Sequence, residues 1–462
     1  MKNNLDCLKN ESKILNKMKK DQIFSLVIII FFIKIAGVFG QSNSSNQELN
    51  RLVDTDTKRL VEVFKDIHSN PELGFMELRT AAIVAKELKA LGFEAKAGIG
   101  KTGVAGILKN GAGPIVMYRA DMDCNSVQET TGIAYANNKL VKNRLGEDVP
   151  AMHACGHDAH TTWMLGIAKA MVALKKDWSG TLIMVGQPAE ELGEGAEAMI
   201  NDKMYEKGVP IPDYLFGMHT APFPVGIISN GSGRRMAGMD ILDVEFHGIG
   251  GHGSSPHVAK DPILMGAAAV IQYQTIISRA IDPQNAAVIT VGSFQSGIDN
   301  NVIPGSALLK LNLRWFNEQD RNLMINGIKR INESIAFAYD LAKELYPTLT
   351  MKGMAYPLVN NEVMVDKVNK ALEAVVAPDK NIKNIPAVMG SEDFHHLVIH
   401  NPKPVYDYML VGIANKEASE KAIKEGKMFP FFNHNSNFEV DLSAIPLGVT
   451  LGTTALLEIF KK

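Results

Sequence analysis

Three short apolar runs in this chain, Ile115-Val116-Met117-Tyr118, Thr181-Leu182-Ile183-Met184-Val185 and Tyr214-Leu215-Phe216-Gly217-Met218, each lead into acidic or imidazole side chains. Runs of this length and apolarity read as strands buried within a parallel sheet. Asp121 and Asp123 follow the first, Glu190 and Glu191 the second, and His219 the third. In open α/β sheets ligands bind beyond the carboxyl ends of the strands, so these side chains are expected to converge on one rim. Helical patterns between the runs make parallel crossovers the expected connection.

The stretch from Met152 to His160 supplies partners of the right chemistry. It holds His153, His157 and His160, one thiol at Cys155 and one carboxylate at Asp158, just ahead of a helical pattern in which Trp163, Ile167, Met171 and Leu174 share a face. A thiolate and an imidazole two residues apart form half of a transition-metal site, because sulfur and nitrogen both suit zinc-like ions. The bland alternative is a capping histidine and a small buried cysteine. Against it stand the other clusters: Cys155, His157, Glu191, His219 and His434 could together surround two divalent ions, with the thiolate as a bridge. Glu190, beside Glu191, cannot easily face the same ion and is free to act as a general base. Asp121 or Asp123 is suited to orient a ligand imidazole, and His160 is either such a support or plain structure.

At 462 residues the chain exceeds one ordinary core, so two domains are expected. Charged residues at 21% and hydrophobic ones at 46% describe a globular protein. A formal net charge of -2 gives no electrostatic reason to expect nucleic acid. Residues 1–40 read as a signal peptide: Lys17, Lys19 and Lys20 precede an apolar run from Ile23 to Phe39, and Val38-Phe39-Gly40 resembles a cleavage site. Export to the periplasm or outside the cell follows, with an uncleaved membrane anchor as the alternative. Cys7 would leave with the leader, and the remaining Cys124 and Cys155 must be free thiols if Cys155 binds metal.

A linker is expected over 41–53 and a catalytic domain over 54–238. Helices are expected around Leu60 to Ile67 and from Met76 to Leu91. From Met239 the pattern becomes β-α-β-β-α-β, the order of a split α+β unit, so 239–356 reads as a unit inserted before the catalytic domain resumes over 357–462. Within it, Gly251-His252-Gly253 lies in a glycine-rich loop where His252 could bond a developing oxyanion.

Seven segments together resemble the M20 metallopeptidase family: His68-Ser69-Asn70-Pro71-Glu72-Leu73, Arg119-Ala120-Asp121-Met122-Asp123, the Cys155 segment, Gly186-Gln187-Pro188-Ala189-Glu190-Glu191, Gly251-His252-Gly253-Ser254-Ser255-Pro256, Asn301-Val302-Ile303-Pro304 and Gly390-Ser391-Glu392-Asp393-Phe394. Within that family they are most similar to the amidohydrolase branch of hippurate hydrolases, auxin-conjugate hydrolases and N-acetyl-amino-acid deacetylases. The resemblance implies an α/β metal-binding domain with a mostly parallel sheet, plus an inserted ferredoxin-like lid that also mediates homodimerisation. It implies two divalent ions per chain, zinc or manganese before nickel or cobalt, held by Cys155, His157, Glu191, His219 and His434. Glu190 would be the catalytic base and Asp123 the orienting carboxylate. His252 would contact the tetrahedral intermediate, from its own chain or from a partner subunit, and Asn301 and Arg314 would hold the substrate. After Asp123 the branch usually has Ala-Leu-Pro, whereas this chain has Cys124-Asn125-Ser126, and the stretch from Asn137 to Pro150 is longer and more charged than usual.

The expected activity is hydrolysis of an N-acyl amino acid or related small amide to a carboxylate and a free amine through a metal-activated water. The alternatives are an M20-type dipeptidase or carboxypeptidase, or a non-catalytic solute-binding protein on the same scaffold.

Overall fold

The structure, a computed structural model, describes residues 44–461; the expected leader and Cys7 lie outside them. Helix α1 (Ser44–His68) begins where the sequence reading placed a linker over 41–53. Leu49 and Val53 extend the buried stripe of Leu60, Phe64 and Ile67 by about three further turns, and that apolar face keeps the segment helical despite its polar neighbours. Helix α2 (Leu78–Ala90) ends next to Gly92, whose φ of +86° suits a residue without a Cβ.

The main sheet contains β1 (Glu94–Ile99), β2 (Gly103–Asn110), β3 (Ile115–Asp121), β4 (Gly180–Gln187), β5 (Tyr214–Pro224), β6 (Ile228–Ser229) and, from the far end of the chain, β11 (Tyr406–Ala414). Their order is β1-β2-β4-β3-β5-β11-β6. The four central strands β4, β3, β5 and β11 are mutually parallel, and antiparallel strands close both edges. Residues 116–121 of β3 are buried throughout, as expected for a strand covered on both faces.

Between β6 and β11 comes a second sheet of β7 (Gly238–His247), β8 (Val288–Gln295), β9 (Ser306–Trp315) and β10 (Thr348–Ala355), ordered β8-β9-β7-β10 and antiparallel throughout. Helices α4 (Pro262–Arg279) and α5 (Glu318–Ala338) complete the β-α-β-β-α-β order. Every second residue of β7 is buried, and Leu242, Val244, Phe246, Leu311, Trp315, Tyr273 and Ile328 share a core separate from that of the main sheet.

Helix α3 (His157–Ala173) is buried from His157 to Ala168, so it is enclosed rather than amphipathic. The last helix, α7 (Ala444–Phe460), packs against it and against α6 (Glu362–Leu372). Trp163 sits in the contact of α3 with α7, fully buried, with its indole N–H donating to the Ala444 carbonyl at 3.0 Å. A Cβ on Gly448 would lie 2.3 Å from the same indole, so glycine sets how closely the helices approach. Trp163→Ala is expected to cost about 3–5 kcal/mol in chemical denaturation at unchanged slope. A cost under about 1 kcal/mol would mean that α3 and α7 do not enclose this side chain.

Candidate metal centre

Because β4, β3, β5 and β11 run parallel, their carboxyl ends lie on one rim. Asp121 closes β3, with Asp123 two residues on; Gln187 closes β4 and leads into a single 3-10 turn, Glu190–Leu192; His219 lies in β5. Helix α3 faces this rim with its first residue, His157, preceded by Gly156 at φ +82°. A Cβ on Gly156 would also approach Thr220 to 2.6 Å, so glycine is needed here for backbone and space alike. The loop carrying His434 is tied in by its backbone N–H, which donates to the Ala154 carbonyl at 2.7 Å.

Of the five groups of potential ligand atoms among the described residues, two share Cys155. Cys155, His157 and His219 make one, and Cys155, Glu191 and His434 the other, with all atoms of a group within 4.8 Å of one another. The Cys155 thiol lies 3.5 Å from His219 Nε2, and Glu191 Oε2 lies 3.3 Å from His434 Nε2. His157 Nε2 stands 3.7 Å from both Glu190 Oε2 and Glu191 Oε1. His157 Nε2 and Glu191 Oε1 are buried with no hydrogen-bond partner among the described residues. Orphaned lone pairs of this kind are costly unless something cationic meets them, and a set of thiolate, imidazole and carboxylate donors fits a transition-metal ion. Cys124 and Cys155 are both free thiols.

The supporting hydrogen bonds fix which atom each ligand presents. Asp123 Oδ1 pairs with His157 Nδ1 at 3.3 Å and accepts from the Glu190 N–H at 3.1 Å, and its Oδ2 accepts from the Glu191 N–H at 3.0 Å. The Thr220 carbonyl can only accept, so His219 Nδ1 carries the proton of their 2.7 Å bond, and in the neutral ring Nε2 is bare towards Cys155. The Thr220 N–H can only donate, at 2.8 Å, so His160 Nε2 is bare and its Nδ1 donates to Asp121 at 2.6 Å. His160 therefore supports the site through Asp121 and Thr220.

Burial and Glu191 push the Cys155 thiol up, but the imidazoles of His219 and His157 outweigh them and bring it down to about 6. The two adjacent carboxyls separate. Burial, then Glu392 and Glu191, raise Glu190 well above the ordinary carboxylate range. Glu191 is lowered, because the His434 and His157 imidazoles overcome its burial. Neighbouring carboxyls whose surroundings push them in opposite directions are suited to different tasks.

Of the residues singled out in the sequence, Asp123, Cys155, His157, Glu190, Glu191, His219 and His434 come together. His252, Asn301 and Arg314 do not: no hydrogen bond or ion pair among the described residues joins them to this cluster. His252 is exposed on a two-residue strand beside Val302, with the Ser254 hydroxyl 2.7 Å from its Nδ1, and the Gly253 N–H donates to the Asn301 carbonyl. Arg314 is half-buried on β9 and bonds Asn312. Sequence reasoning gave no role to Arg119, although it is the buried counter-charge of the rim. Its guanidinium meets Asp121 at 2.6 Å, Glu392 at 2.8 Å and Asp393 at 3.1 Å. Glu392 and Asp393 also stand within 4.8 Å of Glu190. The available signal was an arginine two residues before a strand-end aspartate. Asn433, whose amide donates to the Cys155 sulfur at 3.2 Å, carried none.

The model of the peptidase family M20/M25/M40 matches residues 117–426. The chain is 40% identical over 339 residues to a hippurate hydrolase of Campylobacter jejuni, covering 71% of this chain and 82% of that one. It is 34% identical over 397 residues to thermostable carboxypeptidase 2 of Saccharolobus solfataricus, covering 84% and 92%. Its fold is that of the Bacillus subtilis YxeP protein, described as a dinuclear metal-binding peptidase of the M20 family, with a TM-score of 0.68 at 24% identity over 88% of this chain and 99% of the other.

His68, at the end of α1, lies buried between Asp158 at 2.6 Å and Glu129 at 3.2 Å. Burial pulls its pKa down, but the bonds to Asp158 and Glu129 prevail and raise it from 6.5 to about 9. Its contribution is therefore complete below pH 6.5 and is lost as pH rises through about 9. The stability gap between wild type and His68→Gln should be on the order of 1–3 kcal/mol at pH 6 and close by pH 9.5. A gap independent of pH would contradict the ion-paired imidazole.

Proposed function

This chain belongs to the peptidase family M20/M25/M40 and is a metal-dependent amidohydrolase; on that premise we propose that it cleaves N-acyl amino acids to a carboxylate and a free amino acid. The observation that carries this reading is a pair of ligand groups sharing Cys155, with the Glu190 carboxylate standing beside His157 and Glu191. Cys155, His157 and His219 would hold one divalent ion and Cys155, Glu191 and His434 the other, sharing the thiolate. The donor mixture suits zinc, and the same donors accept manganese, nickel or cobalt. Ions bound there supply Lewis acidity for the amide carbonyl and lower the pKa of the attacking water.

The chain's own residues do the rest. Asp123 holds the His157 ring and the Glu190 and Glu191 backbone in one frame. Glu190, with its raised proton affinity, accepts a proton from the attacking water and returns it to the leaving nitrogen. A homodimer through the inserted unit would give His252 its task. Exposed and outside its own cluster, it is free to serve the site of a second copy, with Asn301 beside it, while Arg314 on the same unit contacts substrate. Exposed Leu264 and Ile271 on α4 and Phe294 on β8 offer an apolar face for such a dimer. The basic and apolar leader supports export to the periplasm or beyond the cell.

The relative named as a carboxypeptidase favours a second reading, peptide-bond hydrolysis by the same centre. A panel of N-acetyl and N-benzoyl amino acids against dipeptides separates the two by kcat/KM. In either case Glu190→Gln is expected to keep its metal content and lose about 10²- to 10⁴-fold in kcat. A variant with normal metal and near-normal rate would remove Glu190 from the mechanism.

A further inference from the structure

Glu77 is the residue immediately before α2, and none of its surface is exposed. A polar side chain in that position ordinarily bonds the free N–H groups of its own helix, but this one makes no such bond. Glu72 does so instead, accepting from the N–H of Arg79 and of Thr80 at 2.8 Å each and from the Thr80 hydroxyl at 2.9 Å. The Glu77 carboxylate turns inward. Its Oε1 accepts from the N–H of Ala189 at 2.8 Å and of Phe75 at 2.9 Å, and its Oε2 from the Thr102 hydroxyl at 2.5 Å.

Ala189 is the hinge between β4 and the turn that carries Glu190 and Glu191. Its backbone is left-handed, φ +50° and ψ +40°, a conformation an alanine holds when its surroundings impose it. It is fully buried, so water cannot replace a lost partner for its N–H. Three consecutive N–H groups, those of Ala189, Glu190 and Glu191, thus end on two buried carboxylates, the first on Glu77 and the others on Asp123. Asp123 also faces His157, whereas the hydrogen bonds of Glu77 reach no member of the ligand shell.

We propose that Glu77 is a positioning residue for the base: by holding Ala189 in its left-handed conformation it aims the Glu190 carboxylate beside the ligand shell. This rests on Glu190 being the base. Without Glu77, Ala189 relaxes towards ordinary backbone angles and Glu190 rotates out of reach of the proton it must take, while the ligands stay in place.

The test uses the full-length, metal-loaded enzyme and compares Glu77→Ala, Glu77→Gln, Thr102→Val and Glu72→Ala by kcat, KM, metal content and melting temperature. Glu77→Ala is expected to lose about ten- to a hundredfold in kcat, with KM and metal content within about twofold of wild type. Glu77→Gln should recover most of that rate, since its amide oxygen still accepts from Ala189, and Thr102→Val should fall between. Glu72→Ala should lower the melting temperature and leave kcat unchanged, because its carboxylate serves α2. Unchanged kcat in Glu77→Ala, or a loss that follows metal content, overturns the proposal. Should Glu77→Ala not fold, Thr102→Val decides by the same criteria. Glu190→Gln separates the two levels. If it stays active, the base assignment falls and the role of Glu77 with it; if it is inactive while Glu77→Ala keeps its kcat, the Glu77 proposal alone falls.

Discussion

The centre depends on one buried carboxylate with three partners. Asp123 faces a ring nitrogen of His157 and accepts the N–H groups of Glu190 and Glu191, so an imidazole from α3 and two carboxylates from the end of β4 are referenced to a single group beyond β3. The imidazole and the two carboxylates come from two different elements and lie 34, 67 and 68 positions from Asp123. The parallel arrangement of β3 and β4 makes the convergence possible, and the enclosed helix α3 brings its first residue to the same rim. Apolar packing such as that of Trp163 against α7 therefore bears on the chemistry: α3 cannot shift without moving His157.

So many charges are tolerable under burial because they are paired. Arg119, 1% exposed, answers Asp121, Glu392 and Asp393, and the Tyr408 hydroxyl donates to Glu392. Removing one partner from such a set strands a charge in a low-dielectric interior, and the cost is several-fold that of a surface pair. The lone pairs left open, on His157 Nε2 and Glu191 Oε1, lie where the two ligand groups meet. Other buried polar atoms among the described residues also lack a partner, among them both ring nitrogens of His153 and of His395, but these two are the ones that belong to the ligand groups.

Much of this was legible from residue order. Apolar runs ending in acid or imidazole groups gave the parallel strands and the rim, and the alternation in residues such as Ile241 to Phe246 gave the second sheet. The start of α1 was missed because Leu49 and Val53 are isolated among polar residues and show their stripe only once packed. Arg119 was quoted in a motif yet read as no more than a neighbour of Asp121, since Glu392 and Asp393 lie more than 270 positions away. Glu77 gave no local signal at all: its partner Ala189 is 112 residues distant and its side chain ignores the helix it precedes. Periodicity reports which face of an element is buried; it does not report which distant backbone N–H a carboxylate will meet.

The sharing of Cys155 between both ligand groups is the central claim, and metal stoichiometry tests it most directly. Elemental analysis of the purified chain and of Cys155→Ala, after identical loading and desalting, should give about two divalent ions for the first and a loss of both from the second. Two ions retained by Cys155→Ala, or one ion in the wild type, would contradict a thiolate common to the two positions.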